Sequence, residues 1–118
     1  MIYSFKDLEV YQTSYNLALE IYKIITTFPK YEQYELASQF RRAVISIPLN
    51  IAEGFGRKRS ILTFKSFILN SLGSCNEVLV LLDFAKDLNY LDENTYQYFY
   101  KEYELLAKKI NRLYANWK

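Results

Sequence analysis

Few residues in this sequence can interrupt a helix. Only three glycines and two prolines occur among 118 residues. Since these two residue types end helices and form most turns, a chain with so few of them has room for only a few turns. We therefore expect long helices rather than many short strands. The length suffices for one domain with its own hydrophobic core, spanning residues 1–118.

The first helix is predicted from a start signal, an apolar repeat and a stop. Ser4 followed by Asp7 resembles a capping box, with Asp in place of the usual Glu or Gln. Pro29 is expected to stop the helix because proline lacks the amide hydrogen that a helix interior requires. Between them, apolar residues at steps of three and four indicate a wide buried face. One row contains Leu8, Tyr11, Tyr15, Ala18, Tyr22 and Ile25, and a second contains Leu17, Ile21, Ile24 and Phe28.

The second helix is predicted from about Glu35 to Phe55 and contains Pro48. Pro48 either kinks one continuous helix or begins a new one, and the unbroken apolar period across it favours the kink. Gly54 or Gly56 is expected to supply the stop. Apolar residues lie on two faces of this helix, which therefore needs a central position or a partner chain. The core face consists of Leu36, Phe40, Ala43, Ile47, Ile51 and Phe55, and the back carries Ile45, Leu49 and Ala52.

Two further helices follow. Ser60 is expected to cap the third helix and Asn89 to close it, and Asp92 is expected to cap the fourth. Four long helices joined by short links predict an all-α fold, an antiparallel up-down-up-down four-helix bundle. The core rows are Phe64, Phe67, Ile68, Ser71, Leu72, Cys75, Val78, Leu79, Leu82 and Ala85 in the third helix, and Tyr96, Phe99, Tyr103, Leu106, Ile110, Leu113 and Trp117 in the fourth.

The residue types argue against an enzyme. The chain has no histidine, the commonest general base and metal ligand, and its single Cys75 cannot form a thiolate metal cluster. Gly54 and Gly56 follow a helix rather than a strand, which is the wrong context for a phosphate-binding loop. We therefore expect no catalytic residue, metal or cofactor. Without a signal pattern or a window approaching eighteen apolar residues, the expected location is the cytoplasm, with no membrane segment.

A polar sector of the second helix is predicted to face the third. If the two helices run antiparallel, Arg42 should lie near Cys75 to Glu77. Ser46 should then lie near Asn70 to Ser74. One interpretation is a polar pocket for a small ligand; the favoured one is an interhelical network that pairs Arg42 with Glu77 and satisfies the carbonyl freed by Pro48. The predicted network consists of Arg42, Ser46, Asn50, Glu53, Ser74 and Glu77.

Positive charge is concentrated in the middle of the chain. Residues 37–65 carry six basic groups and one acidic group, whereas the segments on either side are slightly negative. The run Arg57–Arg59 could neutralise phosphates, and Phe55 beside it could stack on a base. The alternative is a solvated loop between helices. The candidate nucleic-acid-binding residues are Arg41, Phe55, Arg57, Lys58, Arg59 and Lys65.

Tyrosines outside the predicted core rows favour self-association. Tyr98 and Tyr100 leave the row of the fourth helix, and Tyr31, Tyr34 and Tyr90 lie in links. Amphipathic aromatic residues suit protein interfaces, and a surface tyrosine with a hydrated hydroxyl is the equal alternative. Together with the two-faced second helix, they favour a homo-oligomer. In a ring, several weak basic patches would add by avidity.

Several motifs occur in one order along the chain. They are Phe5-x-Asp7-Leu8, Phe28-Pro29, Gln39-x-Arg41-Arg42-Ala43, Ser46-Ile47-Pro48-x-Asn50-Ile51-Ala52-Glu53-Gly54 with Gly56-Arg57, and Gly73-Ser74-x-x-Glu77. In register from about Phe5 to Leu113, the sequence resembles the bacterial 23S rRNA intervening-sequence protein family. Thr63-Phe64 replaces a more usual acidic-aromatic pair.

The resemblance implies a four-helix bundle that assembles into a homopentameric ring. Family genes occur within insertions in ribosomal RNA genes and elsewhere in bacterial genomes. A related bundle, the accessory protein of diversity-generating retroelements, binds nucleic acid and a reverse transcriptase. The resemblance implies no catalytic residue. We therefore predict a non-enzymatic, ring-forming protein that is a nucleic-acid-binding or accessory subunit, with RNA or DNA as the candidate partner. The alternative is a protein-interaction scaffold with no nucleic-acid role.

Overall fold

Four long helices make up most of the chain, which confirms the predicted all-α class. The computed structural model describes residues 1–118 and contains no strand. Its long axis of 44 Å agrees with the length of about 40 Å that the 27 residues of its longest helix reach. Single turns of 3₁₀ helix occur at Phe5–Asp7, Ile25–Thr27 and Lys30–Glu32. The four helices are α1 (Glu9–Ile24), α2 (Leu36–Gly56), α3 (Ile61–Asp87) and α4 (Glu93–Asn116).

The predicted helix starts are confirmed by hydrogen bonds from their cap residues. Ser4 and Asp7 form a reciprocal capping box at the 3₁₀ turn that leads into α1. Ser60 Oγ accepts a hydrogen bond from the amide three residues on, and Asp92 Oδ1 does the same at the start of α4. Each of these bonds satisfies an amide that would otherwise lack a partner in the first helical turn.

The helix ends follow two different rules. α3 closes at Asn89 as predicted: Asn89 has a φ of 65°, in the left-handed region, and the amide of Tyr90 donates to the carbonyl of Ala85. α2 runs through Pro48 as one helix, as its apolar period predicts, and ends at Gly56. No glycine has a positive φ. The stop predicted at the glycines is therefore in the right place, but it is not a left-handed glycine cap.

One hydrophobic core of 26 buried residues joins the four helices. α2 and α3 pack together most extensively, followed by α3 with α4 and α1 with α2. Phe40, Ile47 and Ile51 of α2 are fully or almost fully buried, as predicted. At one end of the core, the ring of Phe64 stacks on that of Trp117, with centroids 4.2 Å apart.

The first predicted row of α1 is wrong in part. Tyr15 and Tyr22 are 49% and 36% exposed, although Leu8 and Ala18 of the same row are buried. The core is instead filled from the second row, where Leu17 and Ile21 are buried. The exposed tyrosines lie toward the back of α2, so α1 also has apolar residues on two sides.

Contacts between helices determine which ends lie together. Ser46 of α2 contacts Ser74 of α3, with oxygens 2.7 Å apart. Glu9 at the start of α1 forms an ion pair with Lys109 near the end of α4. Phe64 near the start of α3 likewise contacts Trp117 after the end of α4. These contacts bring the start of α1 and the start of α3 next to the end of α4, and a short turn joins the end of α2 to the start of α3.

The apolar character of α3 exceeds the sequence-based expectation. Within its 27 residues, one 18-residue window has a mean hydropathy of 1.3, which makes α3 long and apolar enough to cross a membrane by length and composition. Only 33% of that window is buried. Apolar residues occupy the outer side of α3 as well as the side that packs on α2 and α4, and this second face raises the mean hydropathy.

Candidate nucleic-acid interface

The basic run lies in a tight turn between α2 and α3. The amides of Arg57 and Lys58 donate to carbonyls of the last turn of α2, and the amide of Ser60 donates to the carbonyl of Arg57. Arg57, Lys58 and Arg59 are all exposed. Because the backbone of the turn is hydrogen-bonded, three neighbouring cations are held at one end of the bundle. Such a group can contact successive phosphates.

The structure corrects the role predicted for Phe55. Its side chain is only 6% exposed, and its ring lies edge-on to Trp117 with centroids 6.4 Å apart. Lys58 Nζ lies 3.9 Å from the centroid of the Phe55 ring. Phe55 is a core residue beneath the basic turn, so it cannot stack on a base. It instead supports Lys58 through a cation–π contact.

An exposed aromatic ring does lie beside the turn, but it comes from the start of the chain. Tyr3 is 81% exposed and lines a hollow of about 480 Å³ together with Lys58 and Arg59. Stacking on a nucleic-acid base requires an accessible ring near cations, and Tyr3 meets both conditions. Tyr3 is not among the predicted binding residues because it is far from Arg57–Arg59 in sequence. Only the folded chain brings them together.

Of the two remaining predicted cations, one lies near the turn and one does not. Lys65 is half-buried, with Nζ 5.0 Å from the centroid of the Tyr114 ring. Arg41 is separated from Arg57 by sixteen residues of α2, or about 24 Å. Its guanidinium donates to the carbonyl of Gln33 at 2.6 Å. Arg41 therefore fastens the α1–α2 link and does not belong to the basic turn.

Charge is separated along the long axis of the bundle. The half formed by residues 1–17, 47–74 and 105–118 carries nine basic and three acidic groups, a net charge of +6. The other half, residues 18–46 and 75–104, carries six basic and ten acidic groups, a net charge of −4. Part of the positive charge comes from the last turns of α4, which lie against the start of α3. These additional basic residues are Lys108, Lys109, Arg112 and Lys118.

We call the half with a net charge of +6, residues 1–17, 47–74 and 105–118, the positive end. Its basic residues differ in whether an acidic group pairs with them. Lys109 is paired with Glu9, whose pKa is lowered by the hydrogen bond from that ammonium group. Arg57 lies 3.8 Å from Glu53, and both side chains are more than half exposed, so water and salt screen this pair. Lys58 and Arg59 form no ion pair within the chain. Both are therefore available to an anionic partner.

The structure contains the central hydrogen bonds of the predicted polar network. Ser46 and Ser74 share a hydrogen bond, and Asn50 Nδ2 donates to the carbonyl oxygen of Ser46 at 2.8 Å. Ser71 is fully buried and donates to the carbonyl of Ile47 at 2.9 Å. The accepting carbonyls are those of Ser46 and Ile47, just before Pro48, rather than the carbonyl of Val44 that the proline frees. The centre of the network holds α2 to α3.

The outer part of the network differs from the prediction. Arg42 and Glu77 form no ion pair, and both are exposed. Arg42 lines an open depression of about 490 Å³ on the side of α2 that faces Tyr22 of α1, together with Ser46, Asn50 and Glu53. Arg42 therefore lies at the depression beside α1 and does not contact Glu77. Glu53 pairs with Arg57 on its own helix instead.

The buried ionisable groups of the core are Cys75 and Tyr103. Burial raises the pKa of the Cys75 thiol to about 12 and also raises the pKa of Tyr103. Cys75 is therefore a protonated thiol at neutral pH, and it is inaccessible to a substrate. The Tyr103 hydroxyl is buried without a hydrogen-bond partner. Both side chains belong to the interior of the bundle.

Comparison with known protein families decides where this bundle belongs. A family model described as 23S rRNA-intervening sequence protein matches residues 6–112, which is nearly the whole chain. The chain belongs to this family. Among curated proteins, none matches the sequence. The resemblance inferred from the motifs between Phe5 and Leu113 is thereby confirmed, and the family match includes both sides of the basic turn.

The matched region contains most, but not all, of the positive end of this 23S rRNA-intervening sequence protein. Arg57, Lys58 and Arg59 lie inside it, as do Lys65 and Arg112. Tyr3 and Lys118 lie outside residues 6–112. The basic turn is thus part of the family domain, whereas the exposed aromatic ring beside it is contributed by residues before the matched region.

Proposed function

We propose that this chain is a non-catalytic subunit that binds nucleic acid at the positive end of its bundle. The observation that carries the proposal is the separation of charge, +6 in one half against −4 in the other. A potential of one sign at one end attracts a polyanion and orients it toward that end. The acidic half would repel the same partner, so binding is limited to one surface.

Phosphate contacts and base stacking would both contribute to binding. Lys58 and Arg59 have no acidic partner and would neutralise phosphates, with Arg57 as a third contact. The exposed ring of Tyr3 would stack on an unpaired base in the hollow that it lines with Lys58 and Arg59. Since a stacked base must be accessible, single-stranded segments are the preferred target. Neither type of contact reads a defined sequence.

The proposal includes an up-down-up-down order of the helices and assembly of identical chains into a ring. The contacts that place the start of α1 beside the end of α4 support the helix order. Large exposed apolar residues on α1, α2 and α3 support self-association, since soluble monomers rarely expose such groups in contiguous patches. Copies of the positive end on one ring would bind a long strand with avidity.

Two features support a role without catalysis. The chain has no histidine, and its one cysteine is buried as a protonated thiol. The hollow that Tyr3 lines with Lys58 and Arg59 contains no paired acid and base. A cytoplasmic protein that only binds RNA or DNA needs no reactive side chain.

The second candidate function is a protein-interaction scaffold with no nucleic-acid role. It is favoured by the exposed apolar residues Leu19, Leu49 and Phe84, each more than half exposed. These residues suit a protein contact better than a phosphate contact. The scaffold predicts no binding of nucleic acid even at low salt. The two functions are therefore separated by one binding assay.

A triple variant with alanine in place of Arg57, Lys58 and Arg59 loses up to three phosphate contacts. It is expected to bind a fluorescent single-stranded RNA at least about tenfold more weakly. Fluorescence anisotropy at about 50 mM salt measures the affinity, where screening is modest. Lys23, Lys30 and Lys101 provide the matched control, since their replacement by alanine removes equal charge from the acidic half. The control should change the affinity by less than about twofold. Equal losses in both variants would contradict a localised site.

A further inference from the structure

A groove between α1 and α2 is lined mainly by apolar residues. It has a volume of about 480 Å³, and nine of its ten lining residues are hydrophobic. Tyr15, Leu19 and Leu49 stand at its walls and are 49%, 52% and 60% exposed. Pro48 lies in its floor, buried in α2. The second apolar faces of α1 and α2 therefore meet in this one groove.

A second exposed apolar surface lies on α3. Leu69, Val80 and Phe84 are 46%, 53% and 56% exposed. At 100° per residue they fall within a sector about 60° wide on the outer side of the helix. We call these three residues the α3 ridge. The ridge extends over about 22 Å, compared with about 16 Å for the groove from Tyr11 to Tyr22 along α1.

An unpaired charge of opposite sign lies beside each surface. Arg42 lines the polar depression that shares Tyr22 and Leu49 with the groove, and it has no acidic partner. Glu77 lies on the outer side of α3, about 60° from Val80, and has no basic partner. The two apolar surfaces are thus edged by complementary charges that the single chain leaves free.

The two charges also lie at the same height along the bundle. Ser46 contacts Ser74, which fixes the register of α2 against α3. Arg42 is one turn before Ser46, and Glu77 is about one turn after Ser74. A rotation about an axis parallel to the bundle keeps every residue at its height. Arg42 of one copy and Glu77 of another can therefore meet in a ring whose axis follows the bundles.

We propose that the α1/α2 groove of one chain receives the α3 ridge of a second copy, with Arg42 and Glu77 forming an ion pair across the contact. The occupant is a second copy because the same chain supplies the groove, the ridge and both charges. The contact is heterologous, joining two different surfaces, and such contacts close into rings when the rotation permits. The inference rests on the self-association in the proposed function and identifies the surfaces that carry it.

Charge reversal tests this contact on the full chain. Light scattering coupled to size-exclusion chromatography should show an oligomer for the unmodified protein. Arg42→Glu alone and Glu77→Arg alone should each be monomeric at the same concentration, because like charges then face each other. The double variant R42E/E77R should assemble again. A mixture of the two single variants should form mixed oligomers, which an ion pair within one chain could not produce.

Two controls keep the test interpretable. Because Arg42 and Glu77 are exposed, neither substitution should disturb the fold of the chain. The two monomeric single variants should therefore have the same thermal unfolding midpoint. Lys101→Glu, an exposed reversal on α4, should leave the oligomer intact. Oligomers that persist in both single variants would overturn this contact while leaving self-association standing. A monomeric unmodified protein would overturn both, and flotation of that monomer with phosphatidylglycerol vesicles would assign the apolar surfaces to lipid instead.

Discussion

Replacing Phe64 with alanine is expected to lower the free energy of unfolding by about 3–5 kcal/mol. Phe64 is completely buried, and its ring stacks on Trp117 at 4.2 Å with an interplanar angle of 22°. Its removal leaves a cavity where α2, α3 and the end of α4 meet. The surrounding rings of Phe55 and Trp117 can only partly collapse into that space, because helix ends on three sides hold them.

Urea denaturation followed by fluorescence measures this effect, since Trp117 is the only tryptophan of the chain. Leu105→Ala is a suitable control because Leu105 is 45% exposed on α4. Its replacement should change the free energy of unfolding by no more than about 0.5–1 kcal/mol. A similar loss in both variants would show that the Phe64–Trp117 stack does not hold this end of the bundle together.

Replacing Gly54 with leucine is expected to cost about 3 kcal/mol, because α3 approaches α2 closely at this glycine. A Cβ atom on Gly54 would lie 2.9 Å from Cβ of Phe67 and 3.3 Å from the carbonyl oxygen of Phe64. Neither atom can move away without shifting α3. The gain of about 1 kcal/mol from removing a glycine within a helix does not offset this overlap.

Gly56 provides the matched control in the same helix. A Cβ atom at Gly56 meets no atom within 4 Å. Gly56→Leu should therefore leave the free energy of unfolding unchanged or raise it slightly, as measured by urea denaturation. If the two glycine variants were equally stable, the close approach of α3 to Gly54 would not be a feature of the folded protein.

The fold could be predicted because local signals agree with one another. Ser60 and Asp92 cap the helices that they precede, and Asn89 adopts the left-handed conformation that ends α3. At Pro48 the sequence allows either a kink or a new helix, and the unbroken apolar period across it identifies one helix. Signals of this kind act over a few residues, so they can be recognised in the sequence without knowledge of the packing.

The exposure of individual residues was harder to predict, because it depends on what lies across from each helix face. Tyr15 and Phe55 illustrate the two errors. Tyr15 belongs to a helical apolar row and is nevertheless exposed, because the neighbouring row fills the core. Phe55 borders the basic run in sequence and is nevertheless buried, because the end of α4 covers it with Trp117.

Only part of the positive end can be predicted from the sequence. Arg57–Arg59 stand out as a run, whereas residues 66–118 taken together are slightly acidic. Within that segment, the charges of α4 are divided: acidic groups predominate near its start, and Lys108, Lys109 and Arg112 lie near its end. Folding brings the basic part of α4 to the basic turn and the acidic part to the opposite end. A sum over consecutive residues cannot detect this separation.

The central claim is that the positive end binds nucleic acid through phosphate contacts, and the salt dependence of affinity tests it most directly. For single strands, the logarithm of the binding constant falls by about 0.7 per phosphate contact for each unit in log salt. Three contacts at the turn of one subunit therefore predict a slope of about −2, or about 20-fold weaker binding between 50 and 200 mM salt. The variant with alanine at Arg57, Lys58 and Arg59 should have a markedly flatter slope. No binding at low salt, or the same slope in both proteins, would contradict the account.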